Sequence, residues 1–240
     1  MSVDQLFVNR VFVSGKIIGI FPGRKGEVKY RLRVAQREKC GDTYEIKRDK
    51  DGNIVADIYT VRFYGKQGEV CKSRFQVGDF ACVVGVAQTV RDIYTATNSI
   101  EIWGLKMFPK AGKKGIIPDS KSVSIVGRVE SSIIRRVGDR SRISLTVYTK
   151  TVQDTMASTG KMVPTTYRTF LTVNILGDTD VARALVKGDW ISMSGRIREV
   201  ENHIKNGKRL DFIDIFHVEK LSQETIAAAA KEAAEEVKEA

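Results

Sequence analysis

The sequence predicts an all-β protein made of two tandem copies of a small five-stranded barrel, and three observations lead there. First, VGDFACVVGVAQTV (77–90) aligns without a gap on KGDWISMSGRIREV (187–200), an offset of 110 residues. VFVSGKI (11–17) likewise has the outline of SIVGRV (124–129), with Gly15 against Gly127, and YTVRFYG (59–65) matches FLTVNILG (170–177). Second, apolar residues within each copy mostly alternate, which is the period of a half-buried strand rather than of a helix. Third, PKAGKKGIIPDS (109–120) combines two prolines, two glycines and three lysines and reads as a linker. The expected organisation is a first domain over 1–108, a linker over 109–121, a second domain over 122–221 and an Ala/Glu/Lys-rich acidic tail over 222–240.

In the first copy the alternation predicts strands over 9–20, 28–37, 56–64, 79–91 and 99–107. In the second it predicts strands over 122–134, 140–149, 167–176, 189–200 and 209–219. KQGEVCKSRF (66–75) and DTDVARALV (178–186) are proline-free and long enough for two or three helical turns. The order β-β-β-α-β-β is the plan of the OB fold, a Greek-key barrel with its helix between strands three and four. The inner faces follow from parity: Val11, Val13, Gly15 and Ile17 on strand one, Leu32 and Val34 on strand two, and Tyr59, Val61 and Phe63 on strand three. The loops after strand two are long, 37–56 dense in both charges and 149–166 rich in Thr and Ser, and either is a candidate for disorder until nucleic acid binds.

The charge is unevenly spread. There are 21 basic and 12 acidic residues in 1–115 (+9), 17 and 12 in 116–221 (+5), and 2 and 5 in 222–240 (−3), which sum to +11. A basic body is the footprint of a polyanion binder, because each Lys or Arg that meets a phosphate releases condensed counterions. No apolar run is long enough to span a bilayer, and MSVDQLFVNR lacks the outline of a signal peptide, so no membrane partner and a cytoplasmic location are expected. Cys40, Cys71 and Cys82 have no metal-binding or disulfide spacing and read as reduced thiols. His203 and His217 have no nucleophile or metal motif beside them, so neither enzyme activity nor a cofactor is expected.

Three blocks carry a resemblance: Asn9-Arg10-Val11 through Gly15, Val61-Arg62-Phe63-Tyr64-Gly65-Lys66, and Gly78-Asp79 through Gly85. In order and spacing they resemble the bacterial and phage single-stranded DNA-binding proteins, in the tandem OB-fold form. The second copy keeps Val126-Gly127-Arg128, Asn174-Ile175-Leu176-Gly177 and Gly188-Asp189-Trp190 through Gly195-Arg196 but diverges more. The resemblance implies single-stranded DNA as partner, a dimer presenting four OB domains, and replication or recombination proteins as further partners. Members in cells end in an Asp-rich tip with Pro-Phe, whereas this chain ends IAAAAKEAAEEVKEA (226–240), which points to a phage or mobile-element origin.

Binding without sequence preference combines a cationic groove for phosphates with aromatic faces for bases. Both belong on the outward positions of strands two and three and on the adjoining loops. Strand two of the first copy turns Arg31, Arg33, Ala35 and Arg37 outward, and strand three Ile58, Thr60, Arg62 and Tyr64. The resemblance assigns Tyr64 to a stacking position. In the second copy the strand-three face reads Phe170, Thr172, Asn174, Leu176; Leu176 replaces the aromatic, and Phe170 falls on the family's other stacking position six residues upstream. The candidate set is Arg31, Arg33, Arg62, Tyr64, Arg91 and Tyr94 in the first copy and Arg142, Arg168, Phe170, Arg196, Arg198, Lys208 and Arg209 in the second. Trp103 and Trp190 are read as packing or contact residues and left out. The function so read is coating of exposed single strands in replication, recombination or repair, with single-stranded RNA as a second possible ligand. The rival reading is a scaffold or strand-annealing protein that uses one OB domain for nucleic acid and the other for protein.

Overall fold

The computed structural model describes residues 6–23, 27–91, 98–109, 120–137, 140–156, 162–202, 208–228 and 231. The chain divides into two compact units, one of Val11–Ser122 with Arg198–Asp211 and the other of Met1–Arg10, Val123–Ile197 and Phe212–Ala240. Most of the linker expected over 109–121 lies outside the described residues.

The first barrel is built from β1 (Val8–Pro22), β2 (Val28–Ala35), β5 (Ala56–Phe63), β6 (Phe80–Arg91) and β7 (Asn98–Pro109). β1 pairs antiparallel with β2, with Ile17 opposite Leu32, and β2 pairs with β5 from Val28↔Phe63 to Ala35↔Ala56. β5 then runs parallel to β7 at Val61↔Ile102, β7 pairs antiparallel with β6, and β6 closes on β1 at Val13↔Val83. The second barrel repeats this path. β8 (Ser120–Val137) pairs with β9 (Arg140–Met156), β9 with β10 (Met162–Ile175), β10 in parallel with β12 (Lys208–Lys220), β12 with β11 (Trp190–Asn202), and β11 with β8. Two closed five-stranded barrels, each with one parallel pair, are the tandem OB fold that the sequence predicts.

Burial follows parity. Val11, Val13, Ile17, Leu32, Val34, Tyr59, Val61 and Phe63 line the first interior, and Ile125, Ile143, Leu145, Val147, Leu171, Val173, Ile191 and Ile213 the second. Glycine recurs where strands come too close for a side chain: a Cβ on Gly15 or Gly127 would collide with the carbonyl oxygen of Arg33 or Tyr148. The Gly-Asp pairs before β6 and β11 make one turn twice. Gly78 and Gly188 have φ of +102° and +97°, and the carboxylates of Asp79 and Asp189 accept from the N–H of Gln76 and Val186 at 2.8 and 2.9 Å.

α1 (Gly65–Arg74) and α2 (Thr179–Arg183) lie between the third and fourth strands of their barrels. α2 is shorter than 178–186 predicts: Asp178 enters a left-handed conformation at φ +50°, and the helix ends by Ala184, with Ala182 its buried residue. Of the long loops, 37–56 holds a solvent-exposed hairpin of β3 (Arg37–Cys40) and β4 (Thr43–Ile46). The expected 149–166 loop is mostly strand, since β9 and β10 stay paired out to Met156↔Met162.

Candidate nucleic-acid interface

β2 and β5 set the cationic face of the first barrel. Their register places Lys29 opposite Arg62, Arg31 opposite Thr60 and Arg33 opposite Ile58, so cations line the outer face while Tyr30, Leu32 and Val34 point inward. Arg31 is exposed, with its guanidinium 5.0 Å from the centre of the Phe21 ring. Arg33 is exposed as well, and its Nη2 donates to the Ile54 carbonyl at 3.0 Å, which holds the guanidinium beside the hairpin-bearing loop.

Arg62 differs. Its side chain is mostly buried between Glu27, which it meets at 2.8 Å, and Glu101 on β7. Burial draws its pKa down, but the two carboxylates outweigh burial and hold it above the ordinary value. Arg62 therefore ties β5 to β7 and to the residue preceding β2, with its charge already compensated.

Tyr64 follows the same strand directly. Gly65, at φ +52°, lets the chain turn into α1 directly after it, which leaves the tyrosine 45% exposed. Its ring meets Trp103 edge-on at 5.5 Å, and β7 delivers Trp103 there because Arg62 and Trp103 are register partners in the parallel pair. The expectation that left Trp103 out missed this bracing role. The tyrosine pKa is raised, first by burial and then by Glu27.

In the second barrel Phe170 is 52% exposed and pairs directly with Tyr148 across β10 and β9, the rings 5.3 Å apart. The guanidinium of Arg128 lies 5.8 Å from the Tyr148 ring. Tyr148 was legible in the sequence, as Ser144, Thr146, Tyr148 and Lys150 alternate with the buried Ile143, Leu145, Val147 and Thr149. Asn174, expected outward, is buried and takes a hydrogen bond from Ser144 Oγ at 3.2 Å, whereas Leu176 is exposed. Arg168 is exposed opposite Lys150, Arg142 is exposed opposite Arg135, and Arg196 is exposed over the Phe216 ring at 5.2 Å. Arg198 is half-buried. Tyr94 lies outside the described residues, as do the side chains of Arg91, Lys208 and Arg209.

Both barrels thus present a solvent-facing ring braced by a second aromatic, with cations nearby on the same strands. Such a surface can stack flat apolar rings and pair anionic groups. Among the described residues no cluster of His, Cys, Asp or Glu is placed to hold a metal ion, and no helix is long and apolar enough to cross a membrane.

No protein-family model matches the chain. No curated protein matches it either. Solved structures do. The wild-type single-stranded DNA binding protein from Thermus aquaticus is similar over 90% of this chain and 94% of its own, at 15% identity and a TM-score of 0.61. A deletion mutant of the same Thermus aquaticus protein, which also carries a point substitution, matches over 91% of this chain and 97% of its own, with 15% identity and a TM-score of 0.62. The likeness covers both barrels and establishes their shared fold.

Proposed function

We propose that this protein binds single-stranded DNA with little regard to sequence and coats exposed strands during replication, recombination or repair. The observation that carries the reading is the exposure of one large ring at the third strand of each barrel, Tyr64 at 45% just after β5 and Phe170 at 52% in β10, on faces that also carry Arg31, Arg33 and Arg168. A barrel with a well-filled interior has no packing need to leave such rings in water, whereas a single strand needs faces to stack on and cations to pair with. The similarity in fold to two Thermus aquaticus single-stranded DNA binding protein structures supports the same reading.

Each barrel would cover about 4–16 nucleotides. Association of two chains would present four barrels to one strand, and replication or recombination proteins would be the protein partners. Single-stranded RNA would use the same contacts, since neither stacking nor phosphate pairing reads the 2′-hydroxyl.

The test is binding of oligo-dT, duplex DNA and single-stranded RNA to the full chain and to a Tyr64→Ala/Phe170→Ala variant. The proposal expects preference for the single strands and weaker binding by the variant. Unchanged affinity in a well-folded variant would remove the stacking claim.

A further inference from the structure

Four rings lie side by side within the unit that contains residues 1–10 and most of the second barrel. Phe170 is 5.3 Å from Tyr148, Tyr148 is 5.3 Å from Phe7, and Phe7 is 4.7 Å from Trp190 at the start of β11. Phe7 meets Tyr148 edge-on, at 89°, and is tilted 43° against Trp190. Lys150 Nζ stands 5.3 Å from the Phe7 ring and 5.9 Å from that of Tyr148. Phe170 and Tyr148 occupy these places because β9 and β10 put them in register. Phe7 is no part of the barrel's strand order; it precedes β1, and the next residue is held through Thr149 Oγ1, which donates to the Val8 carbonyl at 3.3 Å.

An aromatic ring set against two others and faced by an ammonium group has the surroundings that a nucleobase takes on a single-strand platform, where base–aromatic stacking and cation–π contact act together. Phe7, Tyr148 and Trp190 are all half-buried, so the row is accessible along its length. We infer that Phe7 is an intramolecular occupant of a nucleobase slot made by Tyr148, Trp190 and Lys150, and that a single strand running from Phe170 onto Tyr148 competes with it. The inference rests on the single-strand binding proposed above. It makes the Phe7 ring a gate on the second barrel. The gate binds no partner itself and sets how readily this barrel engages a strand. A ligand that displaces one ring by another gains nothing from the exchange of stacks, so removing Phe7 returns that contact to the nucleic acid.

The chain has two tryptophans, Trp103 and Trp190, so fluorotryptophan incorporation gives two 19F resonances, assigned with a Trp103→Phe variant. The probe is oligo-dT added to the full chain. The inference expects the Trp190 resonance to move on saturation toward its position in Phe7→Ala. It also expects Phe7→Ala to bind oligo-dT about fivefold more tightly, the equivalent of one modest stack, with Phe7→Leu tightening less. A Trp190 resonance that stays fixed in a wild-type chain saturated with oligo-dT overturns the inference and leaves strand binding intact. Equal or weaker binding by Phe7→Ala overturns it too, since Phe7 is then inert or a contributor. A wild-type chain that binds no oligo-dT defeats both readings. Should Phe7→Ala not fold, the wild-type titration alone decides.

Discussion

Tyr30 lies wholly inside the first barrel, its ring packed edge-on against Phe63 at 5.9 Å, and its hydroxyl has no hydrogen-bond partner among the described residues. A buried hydroxyl without a partner keeps its desolvation cost, so Tyr30→Phe should leave stability unchanged or raise it by up to about 1 kcal/mol in denaturant unfolding. Burial, with a smaller push from Cys71, raises the Tyr30 pKa from 10.0 to about 12, and burial raises the Cys71 thiol from 9.0 to about 11. Both folded-state values exceed the unfolded ones, so the unfolded chain releases these protons first. Stability should therefore be fully present below about pH 9 and decline through pH 11–12. A Tyr30→Phe/Cys71→Ala variant should show a flatter alkaline limb in thermal unfolding. A limb as steep as the wild type's would show that other groups carry it.

Arg31 and Arg62 separate binding from folding on the same face. Arg31 is exposed, so Arg31→Ala should change stability by less than about 0.5 kcal/mol while lowering the slope of log K against log salt by about 0.7. Arg62→Met instead strands Glu27 and Glu101, both largely buried, and should cost about 1–3 kcal/mol of stability. The sequence placed both arginines on one face correctly, but it did not show the carboxylates around Arg62, because Glu27 and Glu101 lie 35 and 39 residues away from it.

At the scale of elements, the barrels were legible wherever a strand has one face in the core, since alternation reports burial on one side. The β3–β4 hairpin escaped for the same reason: β3 and β4 are exposed along their whole length, and a strand without a buried face leaves no apolar alternation to read. The repeated glycines test how tightly the strands pack. A Cβ on Gly195 would collide with the Asp214 carbonyl oxygen, so Gly195→Ala must open the β11–β12 ladder and should cost about 3 kcal/mol or more. Gly188 has open space around it but φ of +97°, so Gly188→Ala should cost only the backbone term of about 1–2 kcal/mol. Chemical denaturation of the two variants compares them directly; equal losses would contradict this division. Phe7 stayed hidden at this scale, as nothing in a residue preceding the first strand signals that it packs against Tyr148 and Trp190.

For the whole molecule, the net charge of +11 divides as +9, +5 and −3 along the chain, and part of it is compensated internally, as at Arg62 and at the Lys121–Asp57 ion pair. Part of what remains exposed lies beside rings in both barrels, Arg31 at Phe21 and Arg128 at Tyr148, and rings beside cations favour a single strand over polyanions in general. The two units interleave along the sequence, with 1–10 and 198–211 each grouped away from their neighbours in the chain, so the full chain is the proper object of measurement. The most direct test is a salt titration of its affinity for oligo-dT and for a duplex of equal length. Binding to oligo-dT should be tighter at every salt concentration, with a log–log slope of about −0.7 per phosphate neutralised. Equal affinity for the duplex would contradict single-strand binding as the function of this chain.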